Sequence, residues 1–143
     1  MAIDLFYVSP QDTQYTYQDL LRLLASTDTI KKFCYARSTY EVFTNIILSL
    51  IHNTEITLLD SDFSELELSS MGVVTSALNN LTDVKPIFYS DLSDLLHAIR
   101  SAGKWQIHLF TSGTTGIPKR ITHDLASISR SVRIAEKHSK IIL

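Results

Sequence analysis

The order of periodic segments constrains this chain more than any other feature: stretches with apolar residues at helical spacing alternate with short apolar runs of strand length. Residues 3–8 form an opening apolar run, followed by a polar loop through Pro10 and Asp12. Thr16 is a good helix N-cap, with Asp19 at the reciprocal position of a capping box and Leu20, Leu21, Leu23 and Leu24 behind it. Ser38 and Glu41 repeat that box ahead of Val42, Phe43, Ile46, Ile47, Leu50 and Ile51, a broad apolar stripe at helical spacing. Residues 55–60 are short and apolar enough to be a buried strand. The segment 63–81 predicts a helix with Met71, Val74 and Leu78 on one side, and 84–89 predicts another strand. Ser90 then caps a helix carrying Leu92, Leu95, Leu96 and Ile99, which Gly103 is placed to stop. Residues 105–110 predict a further strand, and the last helix is expected over 122–138, with Leu125, Ile128, Val132 and Ala135 inside. The closing triplet Ile141-Ile142-Leu143 looks like the start of one more strand.

Helices alternating with strands in this way predict an α/β fold: a mainly parallel sheet flanked by helices. There is no internal repeat or linker, so residues 1–143 are expected to form one unit. With 45% hydrophobic residues the chain can build a core. A net charge of −2 speaks against general nucleic-acid binding, which needs a broad basic face. The apolar stretch at Ile46-Ile47-Leu48 is broken by Ser49 and His52, so no membrane span is expected. The single cysteine, Cys34, reads as a small core residue and fits a reducing, cytoplasmic setting.

The charge is unevenly spread: residues 1–100 are acidic, whereas the last third carries an excess of Lys and Arg that would draw a phosphate ligand. Two of the four glycines, Gly113 and Gly116, fall in that last third, in the loop Thr111-Ser112-Gly113-Thr114-Thr115-Gly116-Ile117-Pro118-Lys119. Its glycines permit positive φ and turn successive N–H groups toward one point, and four hydroxyls can donate to phosphate oxygens. Lys119 adds a full positive charge. The spacing excludes three other phosphate loops. A Walker A loop needs Lys directly after the second glycine, but Ile117-Pro118 intervene. The dinucleotide and kinase glycine loops need a further glycine, and the next one upstream is Gly103.

Thr111 through Lys119 instead resembles, throughout, the phosphate-binding signature of the adenylate-forming superfamily: acyl-CoA synthetases, peptide-synthetase adenylation domains and luciferases. That pattern is Thr-Ser-Gly-Ser/Thr-Thr-Gly-x-Pro-Lys after an apolar strand, here Leu109-Phe110. Tyr15 to Leu20 is similar to the family's first-helix opening, and the unit ending Leu58-Leu59-Asp60 looks like its early helix–strand unit. After Lys119 the chain departs from the family spacing: Arg120-Ile121 lead straight to Thr122-His123, and His123 has no assigned role. The resemblance implies the partial N-terminal domain of a longer enzyme that activates a small carboxylic acid with ATP and Mg2+ as an acyl-adenylate. It also implies transfer to a thiol of coenzyme A or of the phosphopantetheine on an acyl carrier protein. Thr111, Ser112, Gly113, Thr114, Thr115, Gly116 and Lys119 would then bind the ATP phosphates, with no catalytic residue in this stretch. The later adenine, ribose and catalytic-lysine motifs have no counterpart before Leu143, so the fragment alone is expected to be inactive. The alternative is a non-catalytic nucleotide-binding or oligomerisation module with the same subdomain fold.

Elsewhere the chemistry is sparse. His52, His97, His108, His123 and His138 never fall at i, i+4, so no metal site is expected. Asp60 and Asp62 read as a polar helix-capping loop, and Asp91 and Asp94 as first-turn acids that complement the helix dipole.

Overall fold

A computed structural model describes residues 5–111, 116 and 118–130. It is an α/β fold with three small sheets. β1 (Leu5–Val8) and β2 (Gln14–Thr16) form an antiparallel hairpin that leads directly into α1 (Tyr17–Ser26). The expected capping box is present in both halves: Thr16 Oγ1 accepts from the Asp19 amide at 3.1 Å, and Asp19 accepts from the Thr16 amide at 2.9 Å. α1 buries Leu20, Leu21 and Leu24. β3 (Thr29–Lys31) and β4 (Phe33–Cys34) precede α2 (Thr39–Ile51). Only half of the second box forms, since Ser38 accepts from the Glu41 amide while the Glu41 carboxylate lies 3.6 Å from Lys31 Nζ. Tyr40 on α2 stacks on Tyr15, with ring centroids 3.8 Å apart, and so ties the N-terminal hairpin to the helix.

β5 (Ile56–Leu58) follows, and then the long helix expected over 63–81 is broken. α3 (Glu65–Ser70) has its own capping box between Ser64 and Glu67, and it ends at Gly72, whose φ is +76°. The Gly72 amide donates to Ser69 O and the Val73 amide to Leu68 O, and Val73 packs on Leu68. This is a Schellman stop, set by a glycine that takes a left-handed conformation without a Cβ penalty. A 3-10 turn at Thr75–Ala77 leads to β6 (Leu81–Asp83), antiparallel to β3. The strand expected at 84–89 is therefore displaced toward the N-terminus. The Val84 amide still donates to Asp28 O, but Pro86 has no amide to extend the ladder.

α4 (Leu92–Arg100) is capped by Asp91 rather than Ser90, whose hydroxyl donates to Asp94 instead. β7 (Gln106–Thr111) is the expected strand, moved by one residue. The largest departure comes next. Lys119–Asp124 is a strand, β8, antiparallel to β7, and helix α5 begins only at Leu125 and spans Leu125–Ile128. Asp124 supplies the cap, accepting from the Ser127 amide at 2.7 Å. The remainder of the helix expected to reach residue 138, and the triplet 141–143, lie outside the described residues.

The main sheet runs β4-β5-β7-β8. Parallel pairing is confined to β4–β5 and β5–β7, and β8 closes the edge antiparallel. One face carries Cys34, Ile56 and Ile107 against Leu50 of α2 and the buried Ala102 and Trp105. The Trp105 indole donates to Ser49 Oγ at 2.8 Å inside this layer, which explains a serine in the apolar stripe of α2. The other face is covered by Leu68 of α3 with Leu59 and Val73 from the segments on either side of that helix, and Phe33 and Phe110 lie beside them. A third cluster joins α1, α2 and α4 around Leu20, Leu24, Leu48 and Leu95.

Candidate phosphate-binding loop

The segment 111–119 is the connection of the β7–β8 hairpin. Its end residues, Thr111 and Lys119, are register partners, and Thr111 Oγ1 donates to Lys119 O at 3.4 Å. β7 is parallel to β5 and β4, so the connection leaves the sheet at the C-terminal ends of its parallel strands. Ligands of open α/β sheets bind at that edge. Thr111, Gly116 and Lys119 are exposed. Gly116 has φ +83°, and a Cβ added there would meet no atom of the described residues within 4 Å, so glycine is required by the backbone conformation. Ser112, Gly113, Thr114, Thr115 and Ile117 lie outside the described residues.

The same edge receives the exits of β4 and β5. Tyr35 donates its hydroxyl proton to Phe63 O at 2.9 Å, and Arg37 lies 3.9 Å from Asp62 with both side chains in solvent. Asp60 accepts from the Asp62 amide at 2.9 Å, which agrees with a polar loop ahead of α3, although Ser64 is the cap. Among the described residues no group of three metal-ligating side chains forms. A groove of about 690 Å³ lies at the opposite end of the hairpin, where Arg100, Trp105, Asp124 and Leu125 line it.

Sequence reasoning missed a polar chain below the loop. His108 on β7 is buried, 3% exposed, between the apolar Ile107 and Leu109. Its Nδ1 lies 2.8 Å from Thr122 Oγ1 on β8, and its Nε2 lies 3.4 Å from Glu55 Oε2, just ahead of β5. Glu55 in turn lies 3.6 Å from Lys32 Nζ. The hydrogen bond from His108 holds the Glu55 carboxyl below its ordinary range, against a smaller opposing effect of burial. The detectable signal was a lone histidine inside the apolar run 105–110, but its partners appear only once the strands are paired. His123 faces the other way and lies 3.3 Å from Ser127 Oγ on α5, away from the loop. His52 caps the C-terminus of α2, and burial lowers its pKa. Cys34 is buried as expected, and burial pushes its thiol pKa up.

No family model, curated protein or solved structure matches the chain.

Proposed function

We propose that residues 111–119 bind the β- and γ-phosphates of ATP, and that this chain supplies the pyrophosphate loop of an enzyme that activates a carboxylic acid as its acyl-adenylate. One observation carries the reading. The segment with the adenylate-forming signature is also the hairpin connection at the C-terminal edge of the parallel strands, closed by the Thr111–Lys119 pair. Gly116 supports it, because its positive φ is the backbone freedom a phosphate-wrapping turn requires.

In the proposed reaction a carboxylate oxygen attacks the α-phosphorus of ATP, the bond to the β-phosphate bridging oxygen breaks, and pyrophosphate leaves. The loop's contribution is electrostatic. Hydroxyls such as Thr111 donate to the outer phosphates, and Lys119 offsets the charge gathering on the departing group. The loop contains no carboxylate, so magnesium would arrive on the nucleotide's own phosphates rather than on residues of this segment. A thiol of coenzyme A or of a carrier-protein phosphopantetheine would then take the acyl group. The finer architecture, part of the N-terminal domain of an adenylate-forming enzyme, belongs to the same proposal, as does a cytoplasmic setting. Among the described residues no helix is long and apolar enough to cross a membrane.

The test is ATP–pyrophosphate exchange on the longest product the locus expresses, offered fatty, aryl and amino acids, with Lys119→Ala as control. Exchange that depends on one acid and on Lys119 is the expected result. Nucleotide binding with no exchange for any acid would contradict the ligase reading and favour a non-catalytic binding module.

A further inference from the structure

Among the described residues the main sheet has two edges, and they differ. β4 is two residues long, whereas β8 spans Lys119–Asp124, and every residue of β8 except His123 is exposed. β8 pairs with β7 alone, so the backbone N–H and C=O groups along its outer side have no strand partner among the described residues. Such an edge accepts another strand unless its side chains forbid it. Charges are a common means of forbidding it, and β8 carries Lys119, Arg120 and Asp124. Their order decides the outcome. Arg120, Thr122 and Asp124 lie on one face of the sheet, opposite Phe110, His108 and Gln106 of β7. Four residues of strand, about 13 Å, keep Arg120 and Asp124 from each other. Neither forms an ion pair with a described residue. Asp124 Oδ1 accepts from the Ser127 amide at the start of α5.

We propose that two copies of this chain join through β8, antiparallel and edge to edge about a two-fold axis at Thr122, so that their main sheets continue into one another. A two-fold axis perpendicular to the sheet makes each face of one copy continuous with the same face of the other, and the contact is self-complementary. Opposed residues must then come from the same face, so each allowed register is centred on a residue. Centred on Lys119, Arg120 or Asp124, the register sets like charges directly opposite each other. Centred on Ile121 it puts Lys119 against His123, and centred on His123 it leaves Arg120 beyond the paired stretch. Only the register centred on Thr122 brings opposite charges together, at both ends: Arg120 faces the second copy's Asp124, and Asp124 faces its Arg120. Opposite charges directly across a strand pair stabilise it and like charges destabilise it. The charges that block the other registers therefore select this one, and they select a second copy over an unrelated strand. The paired stretch is short, so the dimer is of the weak, concentration-dependent kind. It leaves Lys119 and the loop before it outside the contact, and it does not depend on the phosphate reading.

Sedimentation equilibrium of the 143-residue chain, from about 1 μM to 1 mM, tests the proposal. A monomer–dimer equilibrium within that range is expected for the native chain and for Arg120→Lys. Arg120→Glu sets acid against acid at both ends of the contact, and Asp124→Arg sets base against base. Each is expected to weaken dimerisation by about tenfold or more. Mixed in equal amounts, the two variants are expected to pair with each other about as well as the native chain does, because each supplies the charge the other lacks. Misfolding of either variant would not give that rescue. Asp124 also caps α5, so a second measurement on the native chain needs no substitution. Alternate amides between Arg120 and Asp124, those pointing away from β7, are expected to gain protection from hydrogen exchange as concentration rises through the transition. A monomer throughout the range would overturn the proposal. So would a dimer that Arg120→Glu leaves unchanged, or one that forms without added protection in β8.

Discussion

Gly116 shows what single residues settle here and what they leave to their surroundings. Its φ of +83° is read from the backbone alone, and none of the described residues would touch an added Cβ. Gly116→Ala is therefore expected to destabilise the fold by about 1 kcal/mol, measured by chemical denaturation, through strain and not through a clash. A loss of several kcal/mol would mean that the turn is packed more tightly than its open surroundings imply. Ser49 is the opposite case, fully surrounded, with the Trp105 indole N–H donating to it. Ser49→Ala is expected to cost about 1–3 kcal/mol by stranding that donor, and Ser49→Thr less. In sequence Ser49 reads only as an interruption of an apolar stripe, because its partner lies in a distant segment. His108 was hidden for the same reason: its type was visible, whereas Glu55 and Thr122 became its neighbours only through strand pairing.

Elements whose signals are local were legible in the sequence, and elements decided by pairing were not. The Thr16–Asp19 box lies within four consecutive residues, and it starts α1 as expected. Thr16→Ala should lower stability by about 0.5–2 kcal/mol, and Thr16→Ser should restore most of it, in thermal or urea unfolding. The long helix expected over 63–81 is broken by a local signal, the Gly72 stop of α3. The last helix failed for a non-local reason. Residues 119–124 are polar apart from Ile121, with one adjacent β-branched pair, Ile121-Thr122, and by themselves they can begin a helix. β7 offers them a full set of backbone partners, with six register pairs from Gln106–Asp124 to Thr111–Lys119, and the strand wins. That outcome alters the candidate site more than any other, because it makes the phosphate-like segment a hairpin connection rather than a strand-to-helix turn. Of that site, its composition and ends were readable in the sequence, and its closure by β8 was not.

At the scale of the whole molecule, the histidine and carboxylate groups with shifted titrations point one way below neutral pH. Burial lowers the pKa of His52, so the fold favours its neutral ring, and stability from it is full above the ordinary histidine value of 6.5 and falls below it. Asp19, Glu55 and Asp124 are lowered mainly by hydrogen bonds from Thr16, His108 and Ser127, so their contribution is present above the ordinary carboxylate range and is lost as pH falls through it. The melting temperature is therefore expected to decline from pH 7 toward pH 4, with the first part of the decline absent in His52→Gln. A flat profile between pH 7 and pH 5 would contradict the burial of His52. The central functional claim, that the hairpin connection holds the outer phosphates of a nucleotide, is tested most directly by calorimetric titration of ATP and AMP, each with magnesium, into the native chain and into Lys119→Ala. The expected result is ATP affinity lowered at least tenfold by the substitution, on the order of 1.4 kcal/mol or more, with AMP little changed. Equal loss for both nucleotides, or no loss for either, would contradict it.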